Sequence, residues 1–168
     1  MGSEDIKRLM SCDVWLFSFP VYAGGLPSHL LTFLTQIEEL CGQKEHPEIK
    51  VYAVGNGALY EGSAAYPALR MISVWCRKCE FSWCGGLGIG GGPTHLVSSV
   101  GQIALGQRRS YYRRLGEFVE AVAKGIPTLN TSCSPDQSRQ GYCIKRNRRY
   151  RIYAKRNGLT TPDGPLQG

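Results

Sequence analysis

Apolar and polar positions along this chain switch between two periods. The run Val14-Trp15-Leu16-Phe17 is short, continuous and apolar, and Pro20 closes it, so residues 13–19 read as a buried strand. From Leu26 to Cys41 the period lengthens. Leu30, Phe33, Leu34, Ile37, Leu40 and Cys41 recur at helical spacing, Pro27 suits the first turn and Gly42 the stop. Lys50 to Val54 predicts a second buried strand, closed by Gly55-Asn56-Gly57. Pro67 to Cys79 predicts a helix with Leu69, Ile72, Trp75, Cys76 and Cys79 on one face. Phe81 to Ile89 predicts a third strand that dissolves into Gly90-Gly91-Gly92-Pro93. Tyr111 to Lys124 turns Leu115, Phe118, Val119 and Val122 inward and stops at Gly125.

The ends of the chain are less regular. Residues 4–11 read as the last turns of a helix, and 94–107 as a loop or a short helix. After Ile126-Pro127 comes a Ser/Thr/Pro/Asp-rich loop, then a basic helix from about Ile144 to Asn157 with Gly158 past its end. Residues 160–168 are expected to fray. Strands that alternate with helices, and that are apolar on both sides, argue for a parallel sheet flanked by helices. In such sheets a ligand sits outside the carboxyl ends of the strands. The turn-rich stretches 18–28 and 55–63 both fall at that edge.

Composition narrows the class. The 168 residues, 42% of them hydrophobic, suit one core, and no apolar run approaches the roughly 18 residues of a membrane span. No secretory signal is visible at the start. Seven cysteines, odd in number and without framework spacing, fit reduced thiols in a cytoplasmic protein. The net charge of +7 is concentrated: eight of the 20 Lys and Arg lie between Arg139 and Arg156, where no acid occurs. Lys145-Arg146-Asn147-Arg148-Arg149-Tyr150-Arg151, with Tyr153, interleaves aromatics with cations, as nucleic-acid binders do. No RNA- or DNA-binding module accompanies it, and the stretch reads as a solvated helix or one packed on the sheet. The organisation expected is a domain over 1–126 and a basic tail over 127–168.

Three segments resemble flavodoxin-like NAD(P)H-dependent FMN reductases. They are Phe19-Pro20-Val21-Tyr22 with Gly24-Gly25-Leu26-Pro27-Ser28, then Gly55-Asn56-Gly57-Ala58-Leu59-Tyr60-Glu61-Gly62, then Gly88-Ile89-Gly90-Gly91-Gly92. The ending Ala154-Lys155-Arg156-Asn157-Gly158-Leu159 is similar to that of some bacterial members. The resemblance implies a flavodoxin-like three-layer α/β fold, a parallel sheet with helices on both faces. It implies FMN as cofactor, NAD(P)H as co-substrate, a flavin, quinone or other small molecule as electron acceptor, and a homo-oligomer. By position, Pro20, Val21, Tyr22, Ala23, Gly24, Gly25 and Leu26 would border the isoalloxazine ring and supply N–H donors. Gly55, Asn56, Gly57, Tyr60 and Glu61 would cover its pyrimidine side, with Tyr60 available to stack. No catalytic side chain and no metal are implied; the flavin carries the hydride chemistry.

The family pattern opens with a strand, a Gly/Ser/Thr-rich phosphate loop, a helix and a second strand, and none of these is visible. The chain therefore reads as incomplete at its amino terminus. The alternatives are a non-catalytic remnant or interaction module, and a basic-tail binder of nucleic acid or a membrane surface. Gly86-Leu87-Gly88-Ile89-Gly90 is not a dinucleotide fingerprint, because Pro93 interrupts it and no acid stands about 20 residues on. Cys76 and Cys79 lack the second ligand pair of a structural zinc site.

Overall fold

The computed structural model describes residues 8–41, 48–92, 109–135 and 138–159. Within these, β1 (Val14–Val21), α1 (Ser28–Cys41), β2 (Lys50–Gly57), α2 (Tyr66–Lys78), β3 (Ser82–Ile89), α3 (Arg109–Ala123), β4 (Thr131–Cys133) and α4 (Arg139–Arg156) follow in chain order. A short 3-10 turn, Gly62–Ala65, leads into α2. The strands form one parallel sheet in the order β1-β2-β3-β4. The fold is α/β with helices on both sheet faces, as the alternating pattern requires and as a flavodoxin-like sheet would show in part.

Side-chain alternation along the strands separates two layers of core. Trp15, Phe17 and Phe19 of β1 and Val51 and Ala53 of β2 meet Leu34 and Ile37 of α1 and Leu69, Ile72, Trp75 and Cys76 of α2. The centre of this layer is aromatic: the Phe81 ring lies 5.2 Å from Trp15 and 5.4 Å from Trp75. Each indole has its polar atom satisfied, Trp15 Nε1 donating to Leu9 O (3.0 Å) and Trp75 Nε1 to Leu34 O (2.9 Å). Each such apolar side chain contributes roughly 1.5–3 kcal/mol on burial, so α1 and α2 are firmly fixed to the sheet. On the other face Tyr52, Cys84, Leu87, Ile89 and Cys133 pack with Phe118, Leu115 and Val122 of α3. Tyr52 meets Phe118 edge-on at 6.1 Å, and its hydroxyl donates to Ile126 O (3.1 Å).

Four expectations are corrected, besides Val119 of α3 and Leu40 of α1, which were expected to face inward and stand exposed. First, β1 is buried on one face only. Val14, Leu16, Ser18 and Pro20 are exposed, because α3 packs over β2 and β3 and leaves β1 uncovered. Second, Gly55, Asn56 and Gly57 do not form a turn. They extend β2, paired with Phe19, Pro20 and Val21 of β1, so Pro20 and Val21 are strand residues too. Third, Thr131–Cys133, expected as loop, is a strand in register with Leu87–Ile89. Fourth, the basic helix begins at Arg139, five residues before Ile144, with Ser138 Oγ accepting from the Gly141 amide (3.2 Å) as an N-cap. The expectations for 94–107 and 160–168 lie outside the described residues.

The cysteines among the described residues carry no disulfide. Burial pushes the Cys76 and Cys79 thiols up to about 12, so they are unreactive core groups at neutral pH. Among the described residues no helix is long and apolar enough to cross a membrane.

Candidate functional site

Because β1 and β2 are parallel neighbours with Val21 in register with Gly57, the chain leaves both strands at adjacent points of one rim. Two bends stand side by side there, at the carboxyl edge where parallel sheets place their ligands.

The bend after β1 is a tight reversal. Tyr22 and Gly25 exchange both backbone hydrogen bonds, the Tyr22 amide to Gly25 O (3.2 Å) and the Gly25 amide to Tyr22 O (2.8 Å). Ala23 (φ 48°) and Gly24 (φ 78°) occupy its centre, the two positive values that a type I′ turn demands. Glycine meets that demand without cost, whereas alanine in this region costs on the order of 1–2 kcal/mol. Tyr22 is 65% exposed. Leu26 is not a rim residue: its side chain is buried in the α1–α2 core, and Pro27 beside it is buried as well. The Tyr22 and Gly25 amides are consumed by the turn, so the donors that this bend offers are the Ala23 and Gly24 amides at its tip.

The bend after β2 is held from several sides. The Gly91 amide donates to Leu59 O (2.6 Å), and the Gly62 amide to Ser134 Oγ (3.2 Å). Tyr60 donates through its hydroxyl to Pro135 O (3.3 Å), and its ring lies 5.5 Å from that of Tyr142. Tyr142, buried at the first turn of α4, donates in turn to Ala58 O (2.6 Å). Glu61 pairs with Arg139 at 3.3 Å, and the Arg146 guanidinium sits 5.9 Å from the Tyr142 ring centre. Burial pushes the Tyr142 phenol up, against a smaller downward effect of Arg146.

Tyr60 is half-buried, and its hydroxyl bond to Pro135 and its contact with the Tyr142 ring fix where its own ring lies. Glu61 pairs with Arg139 at the surface, where the Arg139 side chain remains largely exposed and that of Glu61 partly so. The glycines of this region have a packing reason. A Cβ on Gly62 would meet the carbonyls of Cys133 and Gly88, and one on Gly90 the carbonyl of Tyr60. They let the bend lie directly on the ends of β3 and β4.

The structure thus brings Pro20, Val21, Tyr22, Ala23, Gly24, Gly25, Asn56 and Gly57 to one rim, and buries Gly55 behind it among Phe19, Val21 and Ala65. It withdraws the Leu26 side chain from that rim and pairs Tyr60 with Pro135 and Glu61 with Arg139. Missing from the sequence reading were Ser134, Arg139 and Tyr142. They reach the second bend from about 70–85 residues away, and no local pattern announces such a contact. No cluster of His, Cys, Asp or Glu that could hold a metal ion occurs among the described residues. A separate groove of about 480 Å³ runs between α1 and α2. It is lined by Leu31, Leu34, Met71, Val74 and Trp75 and bridged by the Lys78–Glu38 ion pair (2.9 Å). Comparison of the chain with protein-family models, with curated proteins and with solved structures gave no match.

Proposed function

We propose that this protein is an oxidoreductase that binds FMN against the carboxyl rim of β1 and β2 and passes electrons from NAD(P)H to a small acceptor. The observation that carries this reading is the Val21–Gly57 register, which seats the two bends next to each other. The backbone at this rim is open at three glycines. Nothing lies within 4 Å of where a Gly24 side chain would stand, and at Gly25 and Gly57 the nearest atoms are 3.6 Å and 3.8 Å away. A planar group can approach that backbone without displacing side chains.

The roles divide as follows. The Ala23 and Gly24 amides would donate to the ring's acceptor edge. Tyr22, exposed beside them, would cover one face. Asn56, exposed at the end of β2 with its carboxamide against Gly92, would border the ring on the side of the second bend. The clamped bend at 58–62 would be a fixed wall that limits how far the ring slides. When bound, the flavin supplies the hydride chemistry, and the chain's part is to orient it and keep one face open to the nicotinamide.

Titration of FMN with the purified protein tests the reading. Quenching of flavin fluorescence that saturates, with NAD(P)H oxidation that depends on added FMN, is the expected result. An unchanged emission spectrum at every protein concentration would overturn it. Tyr22→Ala should weaken the quenching without changing the unfolding temperature, since its side chain is largely outside the core.

A second reading, an interaction module, draws on β1. Among the described residues no strand pairs with its outer edge, and Val14 and Leu16 stand exposed beside that edge. Unpaired apolar edges are sites of association. Saturable FMN binding by a monomer would remove this reading.

A further inference from the structure

The carboxyl-terminal helix α4 has a surface that neither bend uses. We propose that α4 binds single-stranded nucleic acid, independently of the flavin rim. The helix is fastened at its first turn, by Tyr142 on Ala58 and Arg139 on Glu61. No residue from Cys143 to Leu159 is buried. Over its 18 residues α4 carries eight cations and no acid. A packed helix of a globular domain would show one apolar stripe. This one exposes Tyr150 (57%) and Tyr153 (53%) among arginines.

Spacing along the helix gives the surface two kinds of ground. Arg146, Arg149, Tyr150 and Tyr153 follow at three- and four-residue steps and share one side. Lys145, Arg148, Arg151 and Lys155 follow in the same way on another. The first side offers two aromatic faces with guanidinium groups beside them, on which unpaired bases stack. The second offers a row of cations for the phosphates that connect those bases. A membrane surface fits less well. A helix lying on lipid needs its apolar residues gathered on one face. Here Ile144 and Ile152 fall on the Arg148 side, away from Tyr150 and Tyr153. A duplex buries its bases and leaves the exposed tyrosines without a stacking partner.

Binding of a fluorescein-labelled 20-nucleotide single-stranded RNA to the full chain, followed by anisotropy, is the test. The wild type should bind it more than tenfold tighter than the corresponding duplex. If about six phosphates are neutralised, the log–log salt slope should be about −4. The triple charge reversal Arg148→Glu, Arg151→Glu, Lys155→Glu should cost at least tenfold. Tyr150→Ala with Tyr153→Ala should cost about tenfold while leaving the salt slope unchanged, which a charge-only attraction would not do. All three positions of the reversal are exposed, and an unchanged unfolding temperature verifies that the fold is intact. Four results would each overturn the proposal: no binding by the wild type, equal affinity for the duplex, an unaffected tyrosine variant, or retention only on vesicles containing phosphatidylserine.

Discussion

The two bends on the rim leave adjacent ends of the same sheet yet are built in opposite ways. The bend after β1 is held by two backbone bonds of its own, and a side chain at Gly24 on its tip would meet nothing within 4 Å. The bend after β2 is tied to β3, β4 and α4 through Gly91, Ser134, Pro135 and Tyr142. A site made of one free element and one fixed element can admit a ligand and still define where it stops. The free bend carries the unspent donors. In the fixed bend the Gly62 amide and the Tyr60 hydroxyl are engaged by Ser134 and Pro135.

Removing the clamp is the most drastic way to erase that difference. Tyr142→Ala deletes a buried ring together with its hydrogen bond, and should cost about 3–5 kcal/mol in urea unfolding. Amide exchange should rise at 58–62 and stay constant at 22–25. A uniform rise in both bends would mean that they are one unit.

One chemical change made in both bends sharpens the contrast. Gly62→Ala drives a methyl into the Cys133 and Gly88 carbonyls, for a loss of roughly 2–3 kcal/mol. Gly24→Ala meets empty space and suffers only its positive φ, for a loss of about 1 kcal/mol. Equal losses measured by chemical denaturation would contradict the assignment of the second bend as the crowded one.

Alkaline pH probes the clamp without removing the ring. The Tyr142 phenol is raised from its ordinary value of 10.0 by burial, and Tyr52 is pushed up to about 12 by the same cause. Both groups favour the folded state while protonated. Their contribution is fully present below about pH 10, where the unfolded phenol still holds its proton, and is lost as pH rises through the folded values. Tyr142→Phe should cost about 1 kcal/mol at neutral pH for the lost bond to Ala58 O. Its stability should then fall less steeply than that of the wild type above pH 10. Parallel curves would show that Tyr142 is not the titrating group.

The smallest effect belongs to the free bend. Ala23→Gly should stabilise the protein by a few tenths to about 1 kcal/mol, because relief of the positive φ outweighs the added freedom of the unfolded chain. Thermal unfolding of the two proteins side by side checks it, and a loss of stability would mean that the Ala23 methyl makes a contact of its own.

These contrasts also explain which parts of the molecule its sequence disclosed. Helical spacing in α1 and α2 placed Leu34, Ile37, Leu69, Ile72 and Trp75 in the core correctly, because a period of several residues averages over many contacts. The run at Val14–Phe17 suggested burial on both faces. An apolar run looks the same whether or not a helix covers its second side, and α3 does not reach β1. Three residues, Thr131–Cys133, are too few to show any period, so β4 was invisible. The free bend was legible because Tyr-Ala-Gly-Gly is local turn chemistry. The clamp was not, because Tyr142 and Ala58 are 84 residues apart. The glycine run at Gly88–Gly92 carried part of the resemblance, and its members approach the protein itself: the Tyr60 carbonyl at Gly90, Pro135 and Tyr142 at Gly91, and the Asn56 carboxamide at Gly92.

Hydrogen–deuterium exchange with and without saturating FMN addresses the flavin seat most directly. Slowed exchange is expected at the Ala23 and Gly24 amides and at the end of β2, with 58–62 already slow and little changed. Protection absent from residues 22–25, or confined to a different part of the chain, would contradict it.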